Sequence, residues 1–396
     1  MKFTVFSHSR LALLCVLFTA AAFAQETADP NRLTVIKEYD PTKLIPFHIS
    51  GYSGEVDRVL RFDLEVAGFK MVEPERAAYK LAGGNEAAVR GVLSDRNQAG
   101  LFNKTFNGGT VRQQAHAMAD AVVLALTGKK GIAQTRIAFK MGAGRGSEIF
   151  VSDYDGHHPV PVTADGVVVA APAWAPGNHS LYYTAYLTLS GVENTTILAH
   201  NLGTGEREIV ARYSGLNTAP ALANDGRVAM ILSRANSPDV WIGSSTGKNL
   251  RRLTETRDED ESSPCWSPDN RWVAFVTKMG GRRVLAKAAA EGGPITRIAT
   301  AGVLNPSEPS WSPDGTTLAF TAQMGGFSIC VVPAEGGEAK VLADGEDPSW
   351  APNSRTIVFA KRSGGKRILS LLDVPTKQVK DVPAFSGSSS QPAWAR

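Results

Sequence analysis

Glu308, Asp347 and Gln391 each stand immediately before a proline, Pro309, Pro348 and Pro392, that opens a Pro-x-Trp triplet. Two carboxylates and a carboxamide are the hard oxygen donors that calcium takes, so if the fold brings the three positions together they could share one such cation. The competing reading is that each side chain hydrogen-bonds nearby backbone at the start of a strand. Other motifs make a weaker chemical case. Gly243-Ser-Ser-Thr-Gly247 has the spacing of a nucleophile elbow, which needs a strand before it, a helix after it, and acid and histidine partners later in the chain. No histidine follows His200, and short strands flank the motif, so Ser245 is expected in a hairpin turn. Gly142-Ala-Gly-Arg-Gly146 has the glycines of a phosphate-cradling loop without a helix to follow it. His157-His158 has no third ligand at a fixed spacing, and Arg257-Asp-Glu-Asp-Glu261 reads as a solvated loop. No catalytic residue is assigned, and the chain is expected not to be an enzyme.

What must position the oxygen ligands is a repeat. Residues 309–322 read Pro-Ser-Trp-Ser-Pro-Asp-Gly-Thr-Thr-Leu-Ala-Phe-Thr-Ala, two β-prone runs joined by a tight Pro-Asp-Gly turn. Related triplets occur at Pro172-Ala-Trp174, Pro220-Ala-Leu222, Pro264-Cys-Trp266, Pro348-Ser-Trp350 and Pro392-Ala-Trp394. Their third positions step by 48, 44, 45, 39 and 44 residues. A unit of this length, with one aromatic and one turn, is the mark of a β-propeller blade. Each blade exposes both faces unless neighbours cover them, so a large aromatic at one fixed position fills the gap between blades.

The unit at Trp394 lacks its later strands. Matching pieces lie upstream, in Arg136-Ile-Ala-Phe-Lys140, residues 148–156 and residues 159–163. The strand around Trp394 is therefore expected to complete the blade begun at residue 136, giving six blades and removing open sheet edges. Each unit also has a second, mostly glycine-bearing turn after its third strand, for example Glu291-Gly-Gly293 and Glu335-Gly-Gly337. Glycine supplies the positive φ such turns need.

Ahead of the repeats, Lys2 and Arg10 precede an apolar run, Leu11 to Ala22, that ends Ala22-Phe23-Ala24. This has the form of a secretory signal peptide cleaved after Ala24; Cys15 follows Leu14, where a lipobox needs a small residue, so an exported, unanchored protein is expected. Without residues 1–24 the formal charge falls from +4 to +2, which favours neither nucleic acid nor a strongly anionic surface as partner. Cys265 and Cys330 then remain, on strands of different blades; they read as buried free thiols, with a disulfide still open in an oxidising compartment. Residues 25–130 carry mixed signals. A strand is expected at 43–50, a helix at 55–67 stopped by Gly68, a strand at 69–72 and a hairpin across 87–106. A second helix runs from an N-cap at Thr110 to Thr127 and ends at Gly128. The expected architecture is thus an α/β domain over 25–130 and an all-β six-bladed propeller over 131–396, as a monomer.

Leu126-Thr-Gly-Lys-Lys-Gly131, Thr135-Arg-Ile-Ala-Phe139 and Val151-Ser-Asp-Tyr-Asp-Gly156, together with the Pro-x-Trp-Ser-Pro-Asp repeats, resemble the TolB family. The resemblance covers nearly all of the chain after residue 24. It implies a periplasmic, non-enzymatic scaffold of the Tol-Pal system that binds the peptidoglycan-associated lipoprotein Pal and the inner-membrane protein TolA. That network keeps the outer membrane attached and draws it inward at division. Two departures touch TolA: residues 25–39 do not match the short N-terminal segment that engages it, and the α/β domain is shorter than usual. Blade three diverges most, with Asn224-Asp-Gly226 for Ser-Pro-Asp-Gly and Leu222 for Trp.

In TolB-like propellers the loops just before the Pro-x-Trp strands form the channel mouth that receives Pal. Here these are Asn217-Thr218-Ala219, Glu261-Ser262-Ser263, Pro306-Ser307-Glu308 and Gly345-Glu346-Asp347. Ala219 and Ser262 match family contact positions, and Leu216 sits where the family can carry a histidine. The interface is expected at Asn217, Thr218, Ala219, Glu261, Ser262, Ser307, Glu308 and Asp347. No cofactor is required, although Ca2+ could bind Glu308, Asp347 and Gln391. Two alternatives stay open: an exported propeller of this type with a different partner, and a metal-dependent propeller hydrolase.

Overall fold

The computed structural model describes residues 40–256, 260–383, 385 and 387–396. The expected signal peptide lies outside the described residues, as do Arg257, Asp258 and Glu259 of the acidic run. Among the described residues no helix is long and apolar enough to cross a membrane.

The α/β part is a five-stranded sheet with two helices. Strand β1 (Ile45–Ser50) lies between β2 (Phe69–Met71) and β3 (Tyr79–Gly84), parallel to both, and β4 (Val89–Asp95) and β5 (Gly100–Phe106) continue antiparallel. Alternation along β1 buries Ile45, Phe47 and Ile49, and Phe47 meets Phe69 edge to face at 5.2 Å between centroids. Helix α1 (Gly54–Val66) buries Val56, Val59, Leu60 and Leu64, one stripe at helical spacing. Helix α2 (Val111–Thr127) starts at a capping box between Thr110 and Gln113 and stops at Gly128 with φ 69°, as expected of a reciprocal cap and a left-handed C-terminus. Strand β3 has no counterpart in the expectation from sequence. Its Tyr-Lys-Leu-Ala-Gly-Gly run buries Leu81 alone, and two glycines weaken any strand signal.

Six four-stranded blades follow. Their inner strands are Val169–Trp174, Asn217–Leu222, Ser262–Trp266, Pro306–Trp311, Glu346–Trp350 and Ser389–Trp394. The last pairs with Arg136–Met141, which continues to Glu148–Asp153 and Val160–Pro161, so the ring closes by joining sequence-distant strands in one blade. That blade is numbered one here, and the others follow in chain order. The expected closure is what the structure shows.

The recurring tryptophans act between blades. The indole N–H of Trp174 donates to the Ala393 carbonyl at 2.9 Å, that of Trp266 to Ala221 at 3.0 Å and that of Trp350 to Ser310 at 3.1 Å. Each reaches the middle residue of the preceding blade's triplet, so the aromatic fills the gap and satisfies its polar tip there. Trp311 and Trp394 turn elsewhere, to the Gly315 carbonyl and the Thr135 hydroxyl. The prolines have a further cause. In all six inner strands the register slips at the residue before the proline, and that residue has positive φ: Ala171, Ala219, Ser263, Glu308, Asp347 and Gln391, between 50° and 59°. An inner strand is the channel-facing edge of its sheet. A bulge and a proline there break the row of free backbone groups that would otherwise pair with another chain.

Candidate partner-binding site

The six bulges lie near one end of the channel, where the inner strands begin. The three oxygen-bearing side chains occupy successive blades and link head to tail. Glu308 Oε2 accepts the Asp347 backbone N–H at 3.0 Å, Asp347 Oδ2 accepts that of Gln391 at 3.0 Å, and Gln391 Oε1 accepts that of Ala171 at 2.9 Å. The reading in which these side chains bond backbone at a strand start describes these contacts, except that the backbone belongs to the neighbouring blade. Thr321 Oγ1 donates to Glu308 at 2.6 Å. Burial in the channel wall, and then the charge of Glu308, push the Asp347 carboxyl up to about 8. At neutral pH the pair therefore favours one shared positive charge, a proton or a cation.

The other expected interface residues separate into two groups. Thr218, Ala219, Ser262 and Ser307 are half-buried in the mouth wall, and Thr184 of blade two ties Thr218 and the Ala219 N–H at 3.1 and 3.2 Å. Asn217 and Glu261 differ from the expectation that they face a partner: both are buried. The Asn217 amide accepts from the Tyr213 N–H at 2.8 Å and donates to the Tyr213 and Gly215 carbonyls, pinning the loop from inside. The Glu261 carboxylate accepts from Thr277 at 2.7 Å, Thr256 at 2.9 Å and Thr254 at 3.2 Å. Burial raises its pKa even though those hydroxyls oppose the rise. Both hold the mouth in shape from beneath.

Of the remaining motifs, Ser245 lies in a turn, its carbonyl accepting from the Tyr182 hydroxyl, and Gly144–Gly146 is a single 3-10 turn inside a hairpin. Cys265 and Cys330 are free thiols, and burial lifts them to about 12 and 11.

Sequence reasoning missed a buried polar cluster between the α/β part and blade one. His116 Nδ1 of α2 lies 2.7 Å from Asp63 Oδ2 of α1, Tyr154 of blade one donates to Asp63 Oδ1 at 2.5 Å, and His116 Nε2 faces Asp155 Oδ2 at 3.7 Å. Arg112 pairs with Asp155 and, at 3.1 Å, with Glu55. Asp63, His116 and Asp155 lie close enough together to be tested as a metal site. Asp63 already occupies one ring nitrogen and Arg112 already supplies Asp155 with a cation, so the geometry is that of an imidazolium held between carboxylates. Burial opposes that charge, but Asp63 and Asp155 more than offset it, and the His116 pKa is raised. Burial also lifts Asp63 to about 6, against the pull of its hydrogen bonds from His116 and Tyr154. The signal was on view in Val-Ser-Asp-Tyr-Asp-Gly at 151–156, although nothing in that run names its partners.

Comparison with known proteins follows the same geometry. The family model described as the TolB beta propeller domain matches residues 123–396. The Tol-Pal system protein TolB of Bordetella pertussis is 30% identical over 210 residues, 52% of this chain and 47% of that protein. Its counterpart in Chromobacterium violaceum is 28% identical over 210 residues, 44% of this chain and 47% of that protein. The chain thus spans about half the length of the curated relatives it matches. The crystal structure of TolB from Acinetobacter baumannii has a TM-score of 0.79 at 21% identity, covering 89% of this chain and 97% of that one. A chain of a nidogen/laminin complex has a TM-score of 0.53 at 12% identity, over 66% of this chain and 98% of that one. These structural likenesses speak to fold. The matched segment contains all six blades, and on that match the chain belongs to the TolB beta propeller family.

Proposed function

We infer that this protein is a periplasmic, non-enzymatic scaffold of the Tol-Pal system that grips Pal at the channel mouth and so supports outer-membrane integrity and constriction. Family membership supports the system. The observation that carries the surface is where apolar side chains are left exposed. Among the described residues, ten large apolar side chains are exposed, and five of them, Tyr186, Leu189, Val192, Leu304 and Met324, belong to hairpins or loops on the mouth face. Val192 and Leu304 are 63% and 64% exposed. Apolar area gathered on one rim marks an interaction surface more than the same residues scattered singly, and Tyr and Met are enriched in protein interfaces.

Capture from envelope extracts on the immobilised full chain, with the bound protein identified, tests this reading. Recovery of a peptidoglycan-associated lipoprotein, reduced by Val192→Asp with Leu304→Asp, is the expected result. Recovery of another exported protein by the same face points instead to a different partner, and recovery of Pal undiminished by the double variant moves the site elsewhere. TolA is a second, weaker partner in this proposal, and Ca2+ at Glu308, Asp347 and Gln391 is an accessory ligand that calorimetry with calcium alone would detect.

A further inference from the structure

The same face carries a pattern of charge that says what kind of surface it receives; this step rests on the mouth being the partner interface. Each blade's second and third strands meet in a hairpin on the mouth side, since the start of each inner strand pairs with the end of the second strand, as Ser262 does with Val276 and Glu346 with Ala360. Four of the six hairpins bring arginine to this rim. Blade one has Arg145, blade three Arg234, blade four Arg282 and Arg283, and blade six Arg362, all exposed. The hairpins of blades two and five present Leu189, Val192 and Met324 instead.

These arginines are available for new partners. Among the described residues, the side chains of Arg282 and Arg283 make no recorded ion pair or hydrogen bond. Arg234 lies over the Tyr213 ring at 4.6 Å and the Trp241 ring at 5.8 Å, which leaves the donor edge of its guanidinium free while the plane is held. Arg362 lies 5.7 Å from the Phe327 ring centre and 4.0 Å from Glu346, a carboxylate that Arg367 already engages. Arg145 pairs with Glu193 at 3.4 Å, but both side chains are more than half exposed, so the pair is weak and exchangeable. A guanidinium pre-set on an aromatic face is suited to bidentate carboxylate binding.

Inside this rim the charges are mixed. Glu308 and Asp347 lie there with Lys140 and Arg367 close by, Arg367 paired with the buried Glu346, and Asp260 stands 4.0 Å from Lys278. We propose that the mouth selects a folded protein whose Asp- and Glu-bearing shoulder meets Arg234, Arg282, Arg283 and Arg362. Attraction at four points around the rim fixes the docking register.

The test uses the full chain and the purified soluble domain of Pal, titrated by calorimetry from 50 to 500 mM NaCl. The Arg282→Glu/Arg283→Glu double variant, Arg234→Glu and Arg362→Glu are compared with Lys104→Glu, a control on the distant α/β sheet. The expected result is affinity lowered about tenfold or more by each rim reversal, unchanged by the control, and falling with salt in the unmodified chain. The rim substitutions are at exposed positions, and unaltered thermal melts confirm that all four variants fold. Unchanged affinity in the rim variants, with Pal still bound by the unmodified chain, overturns this proposal and leaves the functional reading standing. No Pal binding by the unmodified chain overturns both. Retention on phosphatidylglycerol vesicles that the rim variants lose, while their Pal affinity is intact, assigns the arginines to a membrane surface and overturns it as well.

Discussion

At the scale of single residues, the position before each blade proline carries two demands that the chain meets with very different side chains. All six adopt positive φ, a conformation that costs non-glycine residues of order 1 kcal/mol and is maintained by the surrounding sheet. Alanine or serine there does nothing more, whereas Glu308, Asp347 and Gln391 each cap the next blade's backbone N–H. Asp347 sets a pH dependence. Its folded-state pKa of about 8 lies above its ordinary value of 3.8, so the folded state binds the proton more tightly. The stability it contributes is present at low pH and is lost as pH rises through that window. Asp347→Asn keeps the acceptor oxygen without the charge. It is expected to raise stability by about 1 to 2 kcal/mol above pH 8 and to have little effect at pH 5. Urea melts at both pH values check this, and equal shifts at the two would contradict it. That Glu308, Asp347 and Gln391 occur at matching positions was legible from spacing. That Asn217 and Glu261 turn inward was not, because the Glu261 site is built by threonines from the preceding loop and the next strand.

At the scale of elements, the joint between the last and first propeller strands holds the ring. Ser389–Trp394 pairs with Arg136–Met141, and the Trp394 indole bonds Thr135 at 2.7 Å. Removing residues 389–396 leaves an open blade edge and uncovers apolar surface on two neighbours. The shortened chain is expected to lose cooperative unfolding or to melt well below the full chain in calorimetry; an unchanged transition would show that the joint contributes nothing. Trp350→Ala removes a 2%-exposed indole and its bond across to blade five. The expected cost is about 3 to 5 kcal/mol by denaturant titration. Leu222 shows that a smaller apolar residue serves at one blade. The helices and most strands were legible because periodicity and caps are local, and β3 was not, because its glycines carry no pattern.

At the scale of the whole molecule, the α/β part and blades one and six share one apolar core. It runs from Phe47, Leu60 and Met118 through Ile137 and Phe139 to Leu369, Leu371 and Trp394. Lys380 with Glu65 and the Arg355 bond to the Pro41 carbonyl reinforce it from blade six. The chain boundary near residue 130 is therefore not a break in packing. The His116 cluster sits in this junction. Asp63 and His116 both have raised pKa values, so their contribution is full in acid and is lost as pH rises through about 6 for Asp63 and above the usual imidazole range for His116. His116→Ala leaves Asp63 and Asp155 facing each other and is expected to cost about 3 to 5 kcal/mol at pH 7. The cost should shrink toward pH 5, where Asp63 in the variant takes up a proton. A cost independent of pH would mean that His116 acts through packing alone.

The sequence by itself determined the blade count and the closure. Each rests on a pattern repeated at fixed spacing, and repetition is visible without coordinates. Only the tertiary structure decided which polar residues face the channel, that Asp63, His116 and Asp155 meet across as many as 92 positions of chain, and that arginines from four blades share one rim. Those facts depend on which side chain closes against which neighbour, and burial and charge are set by groups that the chain brings together only when the ring is complete.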